Sequence, residues 1–194
     1  MIAGGTRWIV YPSRSDVFSL WYVADLHLMN SACSEEHIKS DIKKISEDPY
    51  SFMIGGGDYG DFIGYADTRF DPDAVAPWVS VKDLGNLGQI GMVRCRDFFL
   101  PAKDKILGLL IGNHEKKYEL RTEHEGLHGW LCTELGVPSL EYCALFDLIF
   151  VRYSKAKRVK LYFEAPPEVR QGQSCRFRIF CHHGAGYAQT PGGK

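Results

Sequence analysis

Residues 109–120 read LLIGNHEKKYEL, an apolar run that stops in Gly112, Asn113, His114 and Glu115. A tight turn has use for the Gly and the Asn, but none for an imidazole and a carboxylate beside them. Amide oxygens and imidazole nitrogens are metal donors, and an imidazole also moves protons near neutral pH. Three other apolar runs end in similar residues: Asp25 and His27 after SLWYVA, Asp58 and Asp61 after SFMIGGG, and His182 and His183 after SCRFRIFC. A carboxylate such as Asp58 has two oxygens and can bridge two cations, and Gly55, Gly56 and Gly57 let backbone approach closely before it. Alternation along a strand predicts that Asp25 and His27 share a face and that only one of His182 and His183 faces the same way. Brought together, such residues are what a paired-metal site requires.

The elements that must position these groups follow from periodicity. Residues 19–28 predict a buried strand. The stretch SACSEEHIKSDIKKISEDP, residues 31–49, predicts a helix with Ser and Glu at its head, Ile38, Ile42 and Ile45 at helical spacing and the closing Pro49 just beyond the helix. SFMIGGGDYGD, residues 51–61, returns to a strand that breaks at the three glycines, and 66–104 is a weaker region with loop prolines and a glycine-punctuated helix. A third strand leads into GNHE, helix follows over about 116–135, and LEYCALFDLIFVRY, KRVKLYFEA and SCRFRIFCHHG predict strands. Trp21, Tyr22, Phe177 and Phe180 are expected in the core. This order of elements points to an α/β chain with its polar residues gathered at strand ends.

Taken singly, each candidate is an ordinary turn, cap or core residue. By composition alone a D-x-H arises in roughly one chain in five of this length, whereas G-N-H-[DE] arises in about one in a thousand. Together and in this order, D25-L-H27, G57-D58-Y-G-D61, G112-N113-H114-E115 and H183-G184 make the chain resemble the calcineurin-like metallophosphoesterases over roughly residues 20–187. The resemblance implies one domain over 1–194, a four-layer αββα sandwich of two mixed sheets flanked by helices, and hydrolysis of phosphomonoesters or phosphodiesters. It implies two divalent metal ions, Mn2+ first, with Fe, Zn, Mg or Ni as alternatives. Asp25 and His27 would hold one, Asp58 would bridge, and Asn113 and His183 would hold the other, with His182 as the fallback. His114 would be the general acid and Asp61 its orienting partner. The tail after His183 looks more like that of bacterial and phage-type members.

Two departures modify these expectations. The family's closing G-H-x-H is absent, and no histidine follows His183. Each ion is then a ligand short. The expectations, in order, are that the chain continues in a longer protein, that a second chain completes the site, or that metal is held weakly and activity lost. Where serine/threonine protein phosphatases carry phosphate-gripping arginines, this chain has Phe62 and Ile111. That turns the expectation toward another phosphoester, with a nuclease among the options.

Rival readings come from other segments. His124-Glu125-Gly126-Leu127-His128 matches the H-E-x-x-H of zinc peptidases, with Glu141 as a third donor, but Gly126 and Gly129 weaken the helix that motif requires. Its plainer reading is a solvated helix face. A non-catalytic binding module on the same scaffold is a further class. Lys155, Lys157, Arg158 and Lys160 form a basic turn, read as a solvated hairpin tip that could otherwise touch a phosphate backbone. With 23 Lys and Arg against 24 Asp and Glu, no global field selects nucleic acid or an anionic membrane. The six cysteines form no C-x-x-C, and no run is long enough to span a bilayer. A reducing, cytoplasmic setting is expected.

Overall fold

Residues 1–65, 67–122 and 126–184 are described by the computed structural model. The order is β1 (Ile2–Tyr11), β2 (Ser19–Val23), α1 (Glu35–Glu47), β3 (Ser51–Gly55), α2 (Leu87–Phe99), β4 (Ile106–Leu109), α3 (Asn113–Thr122), α4 (Leu127–Leu135), β5 (Cys143–Arg152), β6 (Lys160–Tyr162) and β7 (Gln173–His182).

Two sheets result. One is parallel, in the order β2-β3-β4, and the other is mixed, in the order β6-β1-β5-β7. In the parallel sheet β3 is central and buried at all five positions, which requires apolar or glycine residues throughout SFMIG. Its side chains alternate. Phe52 and Ile54 face the mixed sheet with Ile9, Leu107, Phe146 and Leu148. Met53 faces the helices with Ile42 and Ile45 of α1, Met92 and Phe99 of α2, and Leu131 of α4. Each such side chain contributes about 1.5–3 kcal/mol through burial, so the two cores clamp the parallel sheet from both sides. α1 and α2 are the crossovers that parallel strands require. At the head of α1, Ser34 does not cap the backbone; its hydroxyl pairs with His37 at 2.7 Å, and Glu35 and Glu36 supply the favourable first-turn charge instead.

Register decides where chemistry can gather. Val23 pairs with Gly55, and Gly55 with Leu109. All three parallel strands therefore end level and deliver residues 24–30, 56–61 and 110–115 to one edge, as α/β sheets do for their ligands. β7 pairs with β5 so that His182 lies opposite Cys143, which brings His183 to the same edge.

The structure is α/β, but several expectations change. The layers among the described residues are helices, parallel sheet, mixed sheet. No described helix covers the far face of the mixed sheet, where the side chains of Arg176 and Arg178 and the ring of Phe180 lie exposed. Among the described residues one sheet is parallel and the other mixed. β2 ends at Val23 rather than at residue 28, and it is an edge strand, so Tyr22 is half exposed while Trp21 packs against the helices. Phe177 and Phe180, on edge strand β7, are also exposed instead of core. β1, which periodicity did not mark, pairs with both β5 and β6.

His128 on α4 illustrates how the fold sets ionisation. It is buried, its Nε2 lies 3.1 Å from the Ser139 hydroxyl, and its ring stacks on Tyr59. Burial lowers its pKa to about 4. Below its ordinary value of 6.5 the unfolded chain takes up a proton that the folded chain refuses. Stability therefore falls as pH drops through the window from 6.5 to about 4. Denaturant titrations at pH 7 and pH 4.5 should show that His128→Gln loses about 2 kcal/mol less than the wild type over that interval. Equal losses in the two proteins would contradict this assignment.

Candidate metal centre

The first loop follows β2 by hydrogen-bonding along the second. Asp25 N–H donates to Gly57 O at 3.0 Å, His27 N–H to Asp58 O at 3.1 Å and Leu28 N–H to Tyr59 O at 2.9 Å. Asp25, His27 and Asp58 adopt left-handed backbone, with φ of 55°, 46° and 51°. Such conformations cost a non-glycine residue of order 1 kcal/mol or more and persist where neighbours enforce them. The expected strand alternation is thus not what places Asp25 and His27; a left-handed loop does.

The second and third loops cross at glycine. A Cβ on Gly112 would sit 2.1 Å from Asp58 N, and Gly57, at φ +90°, would carry one 2.6 Å from Gly112 N. Only hydrogen fits at either position. Glu115, fully buried in the first turn of α3, ties the crossing together: it accepts N–H bonds from Asp58 at 3.0 Å, Tyr59 at 2.6 Å and Gly112 at 2.9 Å. Burial, with the Asp58 charge adding to it, pushes the Glu115 carboxyl up to about 7. Asp58 Oδ1 in turn accepts the His114 N–H at 2.8 Å, where a helix N-terminus favours an anion.

Around Asp58 two groups of donors meet. Asp25, His27 and Asp58 offer atoms within 4.8 Å of one another. On the other side, His183 Nε2 lies 3.3 Å from Asp58 Oδ2 and 3.2 Å from Asn113 Oδ1. His183 Nδ1 donates to Gly56 O at 2.7 Å, so in the neutral ring the lone pair is on Nε2, aimed at two other electron-pair donors. A cation held among these three atoms, either a metal ion or a proton on Nε2, satisfies all of them. His182 turns away: its Nδ1 accepts from Gly184 N–H and its ring stacks on Phe180.

His114 and Asp61 sit beside the first group. His114 Nδ1 donates to the Asp61 carbonyl at 2.7 Å and lies 3.3 Å from its carboxylate, which also approaches His27 Nδ1 at 3.4 Å. His27, Asp61 and His114 themselves form a third potential donor set within 4.8 Å. Asn30 donates to Asp61 Oδ2 at 2.9 Å. Burial acts to raise the Asp61 pKa, but hydrogen bonds from His27 and Asn30 and the two imidazoles outweigh it and lower it. The hydrogen bond to Asp61 raises the His27 pKa despite burial. Among described residues, Asp25, Asp58 and Asp61 are ion-paired only to histidines. Asp25 is 61% exposed and Asp58 only 6% at the side chain, so the site opens on the Asp25 side. A cavity of about 400 Å3 lies there, lined by Asp25, His27, Asn30 and Ser34.

All seven candidates, Asp25, His27, Asp58, Asp61, Asn113, His114 and His183, therefore lie at one edge. Sequence reasoning missed Asn30, for which no motif gives a signal, and the bridging work of Glu115, whose place in GNHE was the available signal. Of the peptidase motif, His124 and Glu125 lie outside the described residues. His128 is buried against Ser139 and Cys132, on neither a solvated face nor an open metal site. No protein-family model matches the chain, nor does any curated protein or solved structure. Among the described residues no helix is long and apolar enough to cross a membrane, and the six cysteines are free thiols.

Replacing Glu115 with Ala leaves buried N–H groups without acceptors, at about 1–3 kcal/mol each. Equilibrium unfolding of Glu115→Ala should give a loss of about 3–5 kcal/mol; a loss below about 1 kcal/mol would mean that Glu115 does not hold the loops.

Proposed function

We propose that the chain is a metal-dependent phosphoesterase of the calcineurin-like type, hydrolysing phosphomonoesters or phosphodiesters. The observation that carries this reading is the sharing of Asp58 between the donors Asp25 and His27 on one side and Asn113 and His183 on the other. The donor set is oxygen and imidazole nitrogen without thiolate, which suits Mn2+, Fe, Zn, Mg or Ni. Each side offers three protein donors, a number that leaves coordination positions open.

When bound, two such ions supply Lewis acidity and an activated water for in-line displacement at phosphorus. The chain's own residues do the rest. Because Nδ1 of His114 is committed to Asp61, its Nε2 is the atom that delivers a proton to the leaving oxygen. Asp61, 3.3 Å from Nδ1, stabilises the charged ring that does so. Asn30 holds Asp61 in place, and the cavity beside Asp25 admits the ester. Phe62 and Ile111 are buried and apolar, so no guanidinium fork from these positions grips phosphate, which argues against a phosphoprotein substrate.

Stripped protein reloaded with Mn2+ should take up two ions and turn over bis(p-nitrophenyl) phosphate. His114→Ala should lower kcat about 10²–10⁴-fold with metal content retained, and Asp58→Asn should lose metal. Metal uptake without turnover would favour a non-catalytic binding module. Activity indifferent to His114→Ala but lost in Glu125→Gln would favour the peptidase reading.

A further inference from the structure

A second site lies at the opposite end of the parallel sheet, where its strands begin. A cavity of about 520 Å3 opens between the segment before β4, the start of β6 and the end of α4. Phe52, which lines it, is separated from the strand end at Gly55 by about 10 Å of β3 alone. The metal centre starts beyond that end, so the two sites share no residue.

Its lining is strongly biased in charge. Lys103, Lys105, Arg158 and Lys160 line it with a single carboxylate residue, Asp104, in a chain whose net charge is −1. Lys105 is committed, donating to Asp48 O at 2.8 Å over the Phe52 ring. Lys103 and Arg158 are exposed, and neither they nor Lys160 form an ion pair with a described residue. Lys160 rests on Tyr162 at 4.8 Å. Two of these cations belong to the basic turn that periodicity assigned to a hairpin tip; the fold sets Arg158 across from Lys103. Leu161 is on the cleft side of β6, so Lys160 and Tyr162 point to the other face. Two unpaired cations, Lys103 and Arg158, remain on a concave surface and raise the local potential for an anion, and Arg offers a fork that matches phosphate oxygens.

The cavity is not purely polar. Leu135 and Leu161 form apolar wall, and Phe163, 41% exposed with the Arg7 guanidinium 5.4 Å from its ring centre, presents an aromatic surface. Cations beside an aromatic plane, in a volume within the range of small-ligand pockets, fit a group that joins phosphate to a flat base.

We propose that this cleft binds a nucleotide, with its phosphates on Lys103 and Arg158 and its base against Phe163. The same chemistry is offered by a free nucleotide or by a nucleic acid strand. Binding is independent of metal, so titrations in EDTA silence the metal centre, and their outcome does not depend on whether that centre is catalytic.

Calorimetric titration of the full chain in EDTA at low salt should detect ADP binding with a Kd below about 1 mM. The double variant K103A/R158A should weaken it more than about tenfold, and added salt should do likewise. Phe163→Ala should weaken ADP while leaving tripolyphosphate unchanged. A single-stranded oligonucleotide binding where ADP does not, and lost in the double variant, would support the proposal with a strand as the source. Absence of binding by both, or binding unchanged in a double variant that melts like the wild type, would overturn it. Tripolyphosphate binding as tightly as ADP, with Phe163→Ala without effect on either, would also overturn the assignment to a nucleotide.

Discussion

Asp58 can face two sets of donors only because two loops cross beside it without side chains between them. The crossing at Gly57 and Gly112 brings backbone within the distance a single Cβ would occupy, and Glu115 holds it by collecting N–H groups from both loops. Burying a carboxylate this way is costly, which is why its pKa rises to about 7. The cost is offset by hydrogen bonds that have no other acceptor. Asp25, His27, Asn113 and His183 are each placed by chain that runs through or against this junction.

The parallel sheet supplies the level ground on which the junction stands. Three strands ending in register turn sequence-distant segments into neighbours, and the two apolar cores hold those strands from both faces. Because β7 is antiparallel to β5, its end reaches the same edge from the other sheet. The left-handed residues at 25, 27 and 58 are local strain that this scaffold enforces.

Much of this was legible. Apolar runs ending in GNHE, GGGD and D-x-H identified the strands and the residues that meet, since composition makes the first motif rare. α1 was visible from Ile38, Ile42 and Ile45, two of which are buried. The reason Asp25 and His27 converge was not legible, because a left-handed loop leaves no period in the sequence. β1 was hidden by Gly4 and Gly5, which shift its register and interrupt the alternation of RWIVY. Exposure of Tyr22, Phe177 and Phe180 follows from edge position, a property of strand order that composition does not encode. The cleft at the far end was invisible for the same reason, since Lys103 and Arg158 are brought together only by the fold.

The central claim is that Asp58 lies between two cations. Anomalous scattering from crystals equilibrated with Mn2+ tests it most directly. The account predicts two peaks about 3.5–4 Å apart, one beside Asp25 and His27 and one beside Asn113 and His183, with Asp58 touching both. A single peak enclosed by His27, Asp61 and His114, or none within reach of Asp58, would contradict it.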